Sequence, residues 1–448
     1  MSNIRFVSLM SVVCLLVVAN GAAAQSPTTT AASPPPETVT AAQTAAAAEP
    51  VVTAPTAAPA AEEEPPQVEV RLGEGVRFRA GDAFSLQIRA RMQLQGGFVT
   101  PSSNAVDEGA AADVTTNFQA RRVRLVMTGH AFTPKLRYYF QLGFSYRDME
   151  SDRLVAVRDA YMTWQPHRDF GLRWGQMKVP YGLQRVVSSS ALQMVDRSIV
   201  TAEFNLDRDV GVYMMSEDLG GLGGKLMYQA GVFGGRGRNR FDGVDEAMFV
   251  ARFQVNPFGS FDHLSEGDMT RSHDPRLAIG FGGAYHFNSV RSRGTHQNTY
   301  TFADFDMIHV GGDVHFKWAG LTVMAEVFYR SSDAAHRTRV DPTNPAVTQI
   351  EYARRGVGWY LQTGYMFPRM IEVVGRFGEI RSTVDTIAGT AATAAGGHMG
   401  NEREAGGGLN YYIVKHALKV QLDYFRIWDP DDAADDRHQV RLQTQIYF

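Results

Sequence analysis

Hydrophobic and polar residues alternate at every second position in many short runs from residue 83 onward. In the first run, Leu86 and Ile88 fall on one face and Gln87 and Arg89 on the other. This period of two is typical of β-strands, whose successive side chains point to opposite faces. Because no stretch of a dozen residues shows a clear helical period, the sequence predicts an all-β fold.

About sixteen such runs follow one another, an even number within the range of single-chain bacterial β-barrels. The predicted strands are 83–99, 118–131, 136–147, 153–164, 169–178, 209–217, 225–235, 246–255, 276–289, 304–318, 321–330, 355–367, 370–380, 403–414, 417–428 and 437–448. Short turns and long loops alternate between them, as the two rims of a transmembrane barrel require. Residues 256–275 are the exception, since a long connection stands where a short turn is expected. The pattern predicts a transmembrane antiparallel β-barrel.

The last run places Leu442, Ile446 and Phe448 on one face, and Phe448 is the final residue. A terminal aromatic residue on an alternating strand resembles the signal that the bacterial outer-membrane assembly machinery reads. A soluble β-sandwich also alternates, but it needs no such signal. We therefore expect outer-membrane lipid, lipopolysaccharide and the assembly machinery among the partners of this chain.

Two segments of different composition precede the barrel. Residues 1–24 combine Arg5, an apolar run and an Ala-x-Ala site, which predicts a secretory signal peptide that is cleaved. Residues 25–75 begin with a long Ala- and Pro-rich stretch that buries too little apolar surface to fold, which predicts a flexible periplasmic linker. Residues 76–448 then form the barrel.

Composition and motifs exclude several classes of function. The chain of 448 residues has 44 Lys and Arg against 47 Asp and Glu, so it lacks the cationic excess of a nucleic-acid-binding protein. Cys14 is the only cysteine, which excludes a disulfide framework and cysteine-ligated metals. Hydrolase and nucleotide-binding motifs are missing, so we expect neither an enzyme nor a cofactor. His309, Asp313 and His315 share a strand face, but wall lining explains them better than a metal site.

Basic residues dominate the predicted inner face of the barrel. The residues predicted to line an anion path are Arg89, Arg91, Arg122, Arg124, Arg137, Arg173, Lys178, Arg252 and Arg376. The carboxylates placed on this face are only Asp313, Glu326, Glu372 and Asp423. A pore lined by Arg and Lys has a positive potential and favours anions. Carboxylates on inward-folded loops are the alternative, because they would cancel this charge.

Several motifs resemble the phosphate-selective porin O/P family. They are Asn117 to Leu125 (NFQARRVRL), Asp159 to Tyr161, Gly175 to Leu183 (GQMKVPYGL), Ser188 to Ser190, Asp196 to Ser198 and Arg208 to Gly211. The resemblance implies a sixteen-stranded, usually trimeric outer-membrane barrel whose loops fold inward and narrow the pore. We accordingly expect a homotrimer in the bacterial outer membrane.

The resemblance also implies that residues 179–208 form the constriction loop, with Arg185, Arg197 and Arg208 beside the pore. Gln184 stands where many relatives have Glu, and no arginine ladder or lysine cluster is recognisable. We expect a porin whose water-filled, anion-preferring channel lets phosphate or other small anions diffuse passively. A general non-selective porin, or a structural barrel that anchors envelope layers through its linker, is the alternative.

Overall fold

The computed structural model describes residues 67–100, 114–149, 154–240, 245–394, 396–432 and 435–448. The predicted signal peptide and most of the predicted linker lie outside these residues. Within them, no helix is both long and apolar enough to cross a membrane.

Strands account for most of the described chain. They are β1 Gln67–Arg71, β2 Gly75–Ala80, β3 Phe84–Val99, β4 Thr115–Ala131, β5 Thr133–Gly143, β6 Val157–His167, β7 Phe170–Lys178, β8 Arg208–Ser216, β9 Leu226–Phe233, β10 Ala247–Val255, β11 Arg276–Ser289, β12 Phe305–Trp318, β13 Leu321–Ser332, β14 His336–Val340, β15 Thr348–Tyr352, β16 Gly356–Met366, β17 Ile371–Ser382, β18 Ala391–Ala392, β19 Glu402–Val414, β20 Leu418–Trp428 and β21 Asp436–Tyr447. The helices are short: α1 Leu183–Val186, α2 Ile199–Phe204, and the 3-10 turns Tyr146–Asp148 and Leu219–Gly221.

Sixteen of these strands form one closed antiparallel barrel. From β3 onward each barrel strand pairs with the next, and β21 returns to pair with β3, with Tyr447 opposite Arg91. The strands β14, β15 and β18 form a small separate sheet within the long connections. All sixteen predicted barrel strands are confirmed, with ends that differ by a few residues.

The outer face of the barrel is apolar and the inner face polar. Along β16 the outward Trp359 and Leu361 are exposed, whereas the intervening Tyr360 and Gln362 are fully buried. Lipid on one side and packed lumen on the other impose this alternation. In β21 and at the terminus, Leu442, Ile446 and Phe448 all lie on the exposed side.

The two rims of the barrel differ as predicted. At the turn rim, β4 and β5 are separated by Phe132 alone, and β12 and β13 by Ala319 and Gly320. At the loop rim, long connections such as 179–207 and 333–355 join the strands. Residues 256–275 form a long connection at the turn rim.

The N-terminal boundary of folded structure differs from the predicted one. Residues 67–75, predicted as linker, form β1 and the turn that leads into β2. The strand β2 then pairs with the first half of β3, with Val76 opposite Ile88. The β1–β2 hairpin thus extends the sheet beyond the closing pair of strands at the turn rim. A five-residue strand is too short for its alternation to stand out in the sequence.

Candidate functional site

Residues 179–207 connect β7 to β8 and fold into the barrel, so we call them the inner loop. The helix α2 starts there at Ser198, whose hydroxyl caps the helix by accepting the backbone N–H of Thr201 at 2.9 Å. Phe204 at the end of α2 lies parallel to the ring of Phe328 on β13, with centroids 6.2 Å apart. The inner loop therefore packs against the wall around β13.

The wall leaves room for α2 at Gly358 on β16. A Cβ atom at this position would lie 2.6 Å from the ring of Phe204 and 2.8 Å from Val200. Any larger residue would push the loop from the wall, so the close approach depends on glycine here.

Two carboxylates in the second half of the inner loop, Asp196 and Glu203, fix it to the wall. Asp196 binds Arg121 at 2.9 Å and Arg122 at 3.0 Å on β4, and Arg441 on β21 at 3.5 Å. Burial alone raises the pKa of Asp196, but the charges of Arg121 and Arg122 outweigh it and hold the pKa well below its usual range. The loop therefore stays anionic at this anchor.

The second anchor is Glu203 in α2. Its carboxylate binds Arg354 at 2.7 Å, Arg293 at 2.7 Å and also Arg330 on β13. These charges outweigh burial and lower the pKa of Glu203. The inner loop is thus held by two carboxylates, each with three arginines.

Residues 256–275 also enter the lumen, from the turn rim, and we call them the rising loop. The Glu266 carboxylate accepts hydrogen bonds from the Gln193 backbone N–H at 2.8 Å, the Gln362 side chain at 3.0 Å and the Gln184 side chain at 3.1 Å. Gln184 and Gln193 belong to the inner loop. Glu266 therefore joins the rising loop to the inner loop and to β16.

The wall holds the rising loop at a second point. Lys317 on β12 donates hydrogen bonds to the backbone carbonyls of Asp262 and Ser265, both at 2.6 Å. The neighbouring His315 ring contacts the carbonyl of Glu266 at 3.1 Å. The sequence exception at 256–275 thus corresponds to a segment that folds inward instead of forming a simple turn.

Gln193 shows how completely these segments occupy one side of the lumen. Its side chain binds Thr322 on β13 at 2.7 Å and Glu372 on β17 at 2.6 Å, and its carbonyl accepts Asn410 on β19 at 2.7 Å. The Gln421 side chain on β20 donates to the same carbonyl at 3.0 Å. These contacts pack the inner loop against β13, β17, β19 and β20, and we call this side of the lumen the sealed side.

A cavity of about 450 Å³ remains on the opposite side, between the inner loop and strands β4 to β8. Its charged lining residues are Arg121, Arg122, Arg124, Arg147, Asp148, Arg158, Asp159, Arg173, Lys178, Arg185, Arg197, Asp207, Arg208 and Arg238. Eleven cations thus face three carboxylates in the described part of the lining. The cavity is strongly basic although the whole chain is slightly acidic.

Some of these cations are paired with carboxylates. Arg208 binds Asp159 at 2.9 Å and Asp207 at 3.0 Å. Asp148 accepts from Arg124 at 3.1 Å and lies 3.2 Å from Arg158. Burial would raise the pKa of Asp148, but these two arginines, Arg124 above all, keep the pKa below its usual range.

Three other cations, Arg173, Lys178 and Arg197, have only neutral hydrogen-bond partners among the described residues. The acceptors are Thr163 and Tyr213 for Arg173, Val186 and Val187 carbonyls for Lys178, and Gln184 and Val187 carbonyls for Arg197. Hydroxyl and carbonyl oxygens orient a cation without neutralising it. These three residues therefore form no ion pair within the described part of the chain, and neither does Arg147 of the same lining, which donates to Gln119 at 3.1 Å.

The structure brings seven of the twelve predicted site residues together. Those that line the cavity are Arg122, Arg124, Arg173, Lys178, Arg185, Arg197 and Arg208. Arg252 and Arg376 instead form ion pairs on the sealed side, with Asp313 at 2.6 Å and Glu404 at 2.9 Å. Their partners lie on the wall strands β12 and β19. Cancellation by a carboxylate of an inward-folded loop, which the sequence left open, occurs instead at Arg122, through Asp196.

The remaining three predicted residues lie outside the cavity lining. Arg89 and Arg91 point over the ring of Tyr447, with centroid distances of 5.6 and 6.0 Å. Arg137 is exposed and donates to Gln165 at 2.6 Å. Arg91 nevertheless reaches the inner loop, because it donates to the Ser189 hydroxyl at 3.1 Å, the same hydroxyl that Arg124 of the cavity binds.

Two β-bulges bring to the lumen two arginines, Arg121 and Arg158, that the period of two does not predict. Between β3 and β4, Gln93 pairs with Arg122 but Leu94 pairs with Ala120, so Arg121 is the extra residue of a bulge. Between β5 and β6, Gln141 pairs with Asp159 and Leu142 with Val157, so Arg158 is the extra residue. A bulge interrupts the period of two, so adjacent residues can face the same side. Consequently both members of each adjacent pair reach the lumen. The carboxylates Asp159 and Glu404 also lie there, in addition to the four predicted ones.

The comparisons with known proteins agree with this architecture. The outer-membrane channel DcaP of Acinetobacter baumannii matches with 13% identity over 82% of this chain and 98% of that chain, at a TM-score of 0.51. OprB of Pseudomonas putida matches with 8% identity over 82% and 94% of the two chains, at a TM-score of 0.49. OmpT of Vibrio cholerae matches with 11% identity over 83% and 99%, at a TM-score of 0.47. At these identities the likeness concerns the fold alone.

A search of curated protein sequences finds no match. The sequence profile of the family described as phosphate-selective porin O and P matches residues 92–448. This range covers nearly the whole barrel, including the closing strand β21, both inserted loops and every residue that lines the basic cavity. The chain is therefore an outer-membrane porin that belongs to the phosphate-selective porin O and P family.

Proposed function

We propose that this porin forms an anion-preferring channel through which phosphate or other small anions diffuse passively. The observation that carries the proposal is the lining of the basic cavity, where eleven cations face three carboxylates. A narrow passage with an excess of fixed positive charge concentrates anions and repels cations. The guanidinium groups also match the oxygens of phosphate and carboxylate.

The constriction lies in the cavity beside the inner loop. Arg185 and Arg197 of the loop line it together with Arg208 and Lys178 of the wall. Arg185 and Arg208 both bind Asp207, and Lys178 and Arg197 both donate to the Val187 carbonyl. Solutes that pass here meet Arg173, Lys178 and Arg197, which form no ion pair with a carboxylate among the described residues. These three residues are therefore the chief source of the proposed preference.

Replacing Arg173, Lys178 and Arg197 together by Gln is expected to reduce anion preference. In a planar bilayer under a KCl gradient, the reversal potential should move toward the value of a non-selective pore. Block of the current by added phosphate should weaken as well. The matched control replaces Arg77, Arg79 and Lys135 by Gln, which removes the same charge at the turn rim. An unchanged reversal potential in the cavity variant would refute the role of these cations, and a non-selective wild type would indicate a general porin.

We further propose a homotrimer, as the family resemblance implies, embedded among outer-membrane lipid and lipopolysaccharide. We also propose that the assembly machinery recognises the outward face of Leu442, Ile446 and Phe448. Their exposure on the outer surface supports this role, since exposed side chains are available to a partner.

Replacing Phe448 by Ser is expected to lower the amount of folded porin in the outer membrane. The expected cause is lost recognition by the assembly machinery. The Phe448 side chain is 53% exposed, so its removal takes away little packing. Folded porin can be measured as the heat-modifiable band of unheated membranes. Phe132→Ser is the control, because Phe132 is an exposed aromatic residue at the turn rim. Equal amounts of both variants would count against recognition of Phe448.

A further inference from the structure

Tyrosine side chains line the basic cavity on its turn-rim side. Tyr139 on β5 is the register partner of Tyr161 on β6, and Arg173 on β7 is the register partner of Tyr213 on β8. All four residues belong to the cavity lining. Tyr139 and Tyr161 are partly exposed. We call these four residues the tyrosine shelf.

The shelf has a fixed geometry. The rings of Tyr139 and Tyr161 are parallel within 9°, with centroids 5.0 Å apart. The guanidinium carbon of Arg173 lies 4.8 Å from the centroid of Tyr161 and 5.5 Å from that of Tyr213. Arg173 also donates to the Tyr213 hydroxyl at 2.7 Å and to Thr163 at 2.8 Å. These contacts hold the cation and the rings in one array.

The shelf follows the arginine cluster along the wall. Tyr139 and Tyr161 lie one inward step closer to the turn rim than Gln141 and Asp159, which are register partners in the same strands. Asp159 in turn binds Arg208 of the constriction. A solute moving from the loop rim therefore meets the arginines of the constriction first and the tyrosine rings next.

An arrangement of arginines followed by tyrosine rings favours solutes that combine an anionic group with a ring. An inorganic phosphate ion gains from guanidinium and hydroxyl donors, but it gains nothing from the apolar surface of a ring. A planar ring gains from offset-stacked or edge-to-face contact with a tyrosine. A pocket of 300–1,000 Å³ is the usual size for a small organic ligand, and the cavity of about 450 Å³ falls in this range.

We propose that the channel takes organic anions in which a planar ring carries the phosphate or carboxylate group. The charged group binds among the arginines while the ring lies against Tyr139 and Tyr161. This inference rests on the anion preference proposed above and adds the class of solute. Phosphate esters and carboxylates share the required chemistry, and the arms of the test separate them.

The test measures block of the single-channel current by a set of matched anions. Phenyl phosphate, cyclohexyl phosphate, inorganic phosphate and benzoate are added to the wild-type porin in KCl. We expect phenyl phosphate to half-block the current at a concentration roughly three- to tenfold lower than the other two phosphates, as one aromatic contact implies. Weaker block by benzoate than by phenyl phosphate would assign the head group to phosphate, and stronger block to carboxylate.

Variants then locate the effect. Tyr139→Leu with Tyr161→Leu should remove the advantage of phenyl phosphate over inorganic and cyclohexyl phosphate. Tyr139→Phe with Tyr161→Phe keeps the rings and should retain the advantage. Equal block by phenyl and inorganic phosphate in the wild type would overturn the inference, and so would equal block by the cyclohexyl ester. The wild-type comparison is decisive even where the leucine variant does not assemble.

The reversal potential of the same channels separates this inference from the proposed function. If the wild-type channel prefers anions but phenyl phosphate blocks it no better than the other phosphates, only the proposed class of solute is refuted. A channel without anion preference refutes both.

Discussion

Replacing Glu266 and Lys317 together by Ala is expected to increase the single-channel conductance several-fold and to reduce anion preference. Glu266 joins the rising loop to Gln193 and Gln362, and Lys317 holds the loop backbone from β12. Each buried hydrogen-bonding group left without a partner costs about 1–3 kcal/mol, so the rising loop should leave the lumen. The sealed side then becomes a second passage.

The charge on the sealed side explains the expected change in selectivity. Its main wall cations are already paired, Arg252 with Asp313 and Arg376 with Glu404. Ions that use the second passage therefore meet little net charge and dilute the selectivity of the basic cavity.

Conductance and reversal potential in a planar bilayer measure both effects. The control replaces Glu74 and Lys135 by Ala, which removes one charge of each sign at the turn rim outside the lumen. A conductance equal to that of the wild type would show that the rising loop does not close the sealed side.

Replacing Glu203 by Gln is expected to lower the free energy of unfolding by about 3–5 kcal/mol, the usual cost of leaving one member of a buried ion pair without its partner. The side chain of Arg330 is only 1% exposed and would lose its carboxylate. Arg293 and Arg354 would lose theirs as well. Urea unfolding of the porin in lipid vesicles measures the difference.

Glu402→Gln is the control, because Glu402 pairs with Arg437 at a position where both side chains are about one-third exposed. An exposed pair contributes roughly 0–1 kcal/mol, so this variant should unfold almost like the wild type. Equal destabilisation by both variants would contradict the role of Glu203 as an anchor.

The stability difference caused by Glu203 should depend on pH. The folded-state pKa of Glu203 lies below the ordinary value of 4.5, because the charges of three arginines outweigh burial. The carboxylate therefore contributes its full stabilisation above this ordinary value, and the contribution is lost as the pH falls through the folded-state pKa. The difference between the wild type and Glu203→Gln should accordingly shrink in acid and be constant at neutral pH. A difference that grows in acid would refute this assignment.

The strands were predictable because every barrel strand obeys the same local rule. Lipid outside and a polar lumen inside require alternate residues, as in the run from Leu86 to Arg89, and tertiary packing does not override this requirement. The exception at 256–275 could also be recognised by its length. Its inward course could not, since it depends on Glu266 and Lys317 meeting partners far away in the chain.

The basic cavity was predictable only in part. The inner-face arginines Arg122, Arg124 and Arg173 follow from the period of two, and they do line it. Arg121 and Arg158 do not follow from that period, because bulges bring them to the lumen. Arg252 on β10 and Asp313 on β12 are separated by β11, which pairs with both strands, so their ion pair arises from the strand order in the sheet.

The sequence by itself determined the class of this protein: a sixteen-stranded barrel with an apolar outer face and a polar inner face. These properties are periodic, and each strand carries them independently of the others. Only the tertiary structure decided which half of the lumen the loops pack against, which cations lack an ion pair and where the tyrosine shelf lies. The physical reason is that charge compensation and ring contact act over a few ångströms, and residues at such distances are brought together by strand closure, bulges and inserted loops.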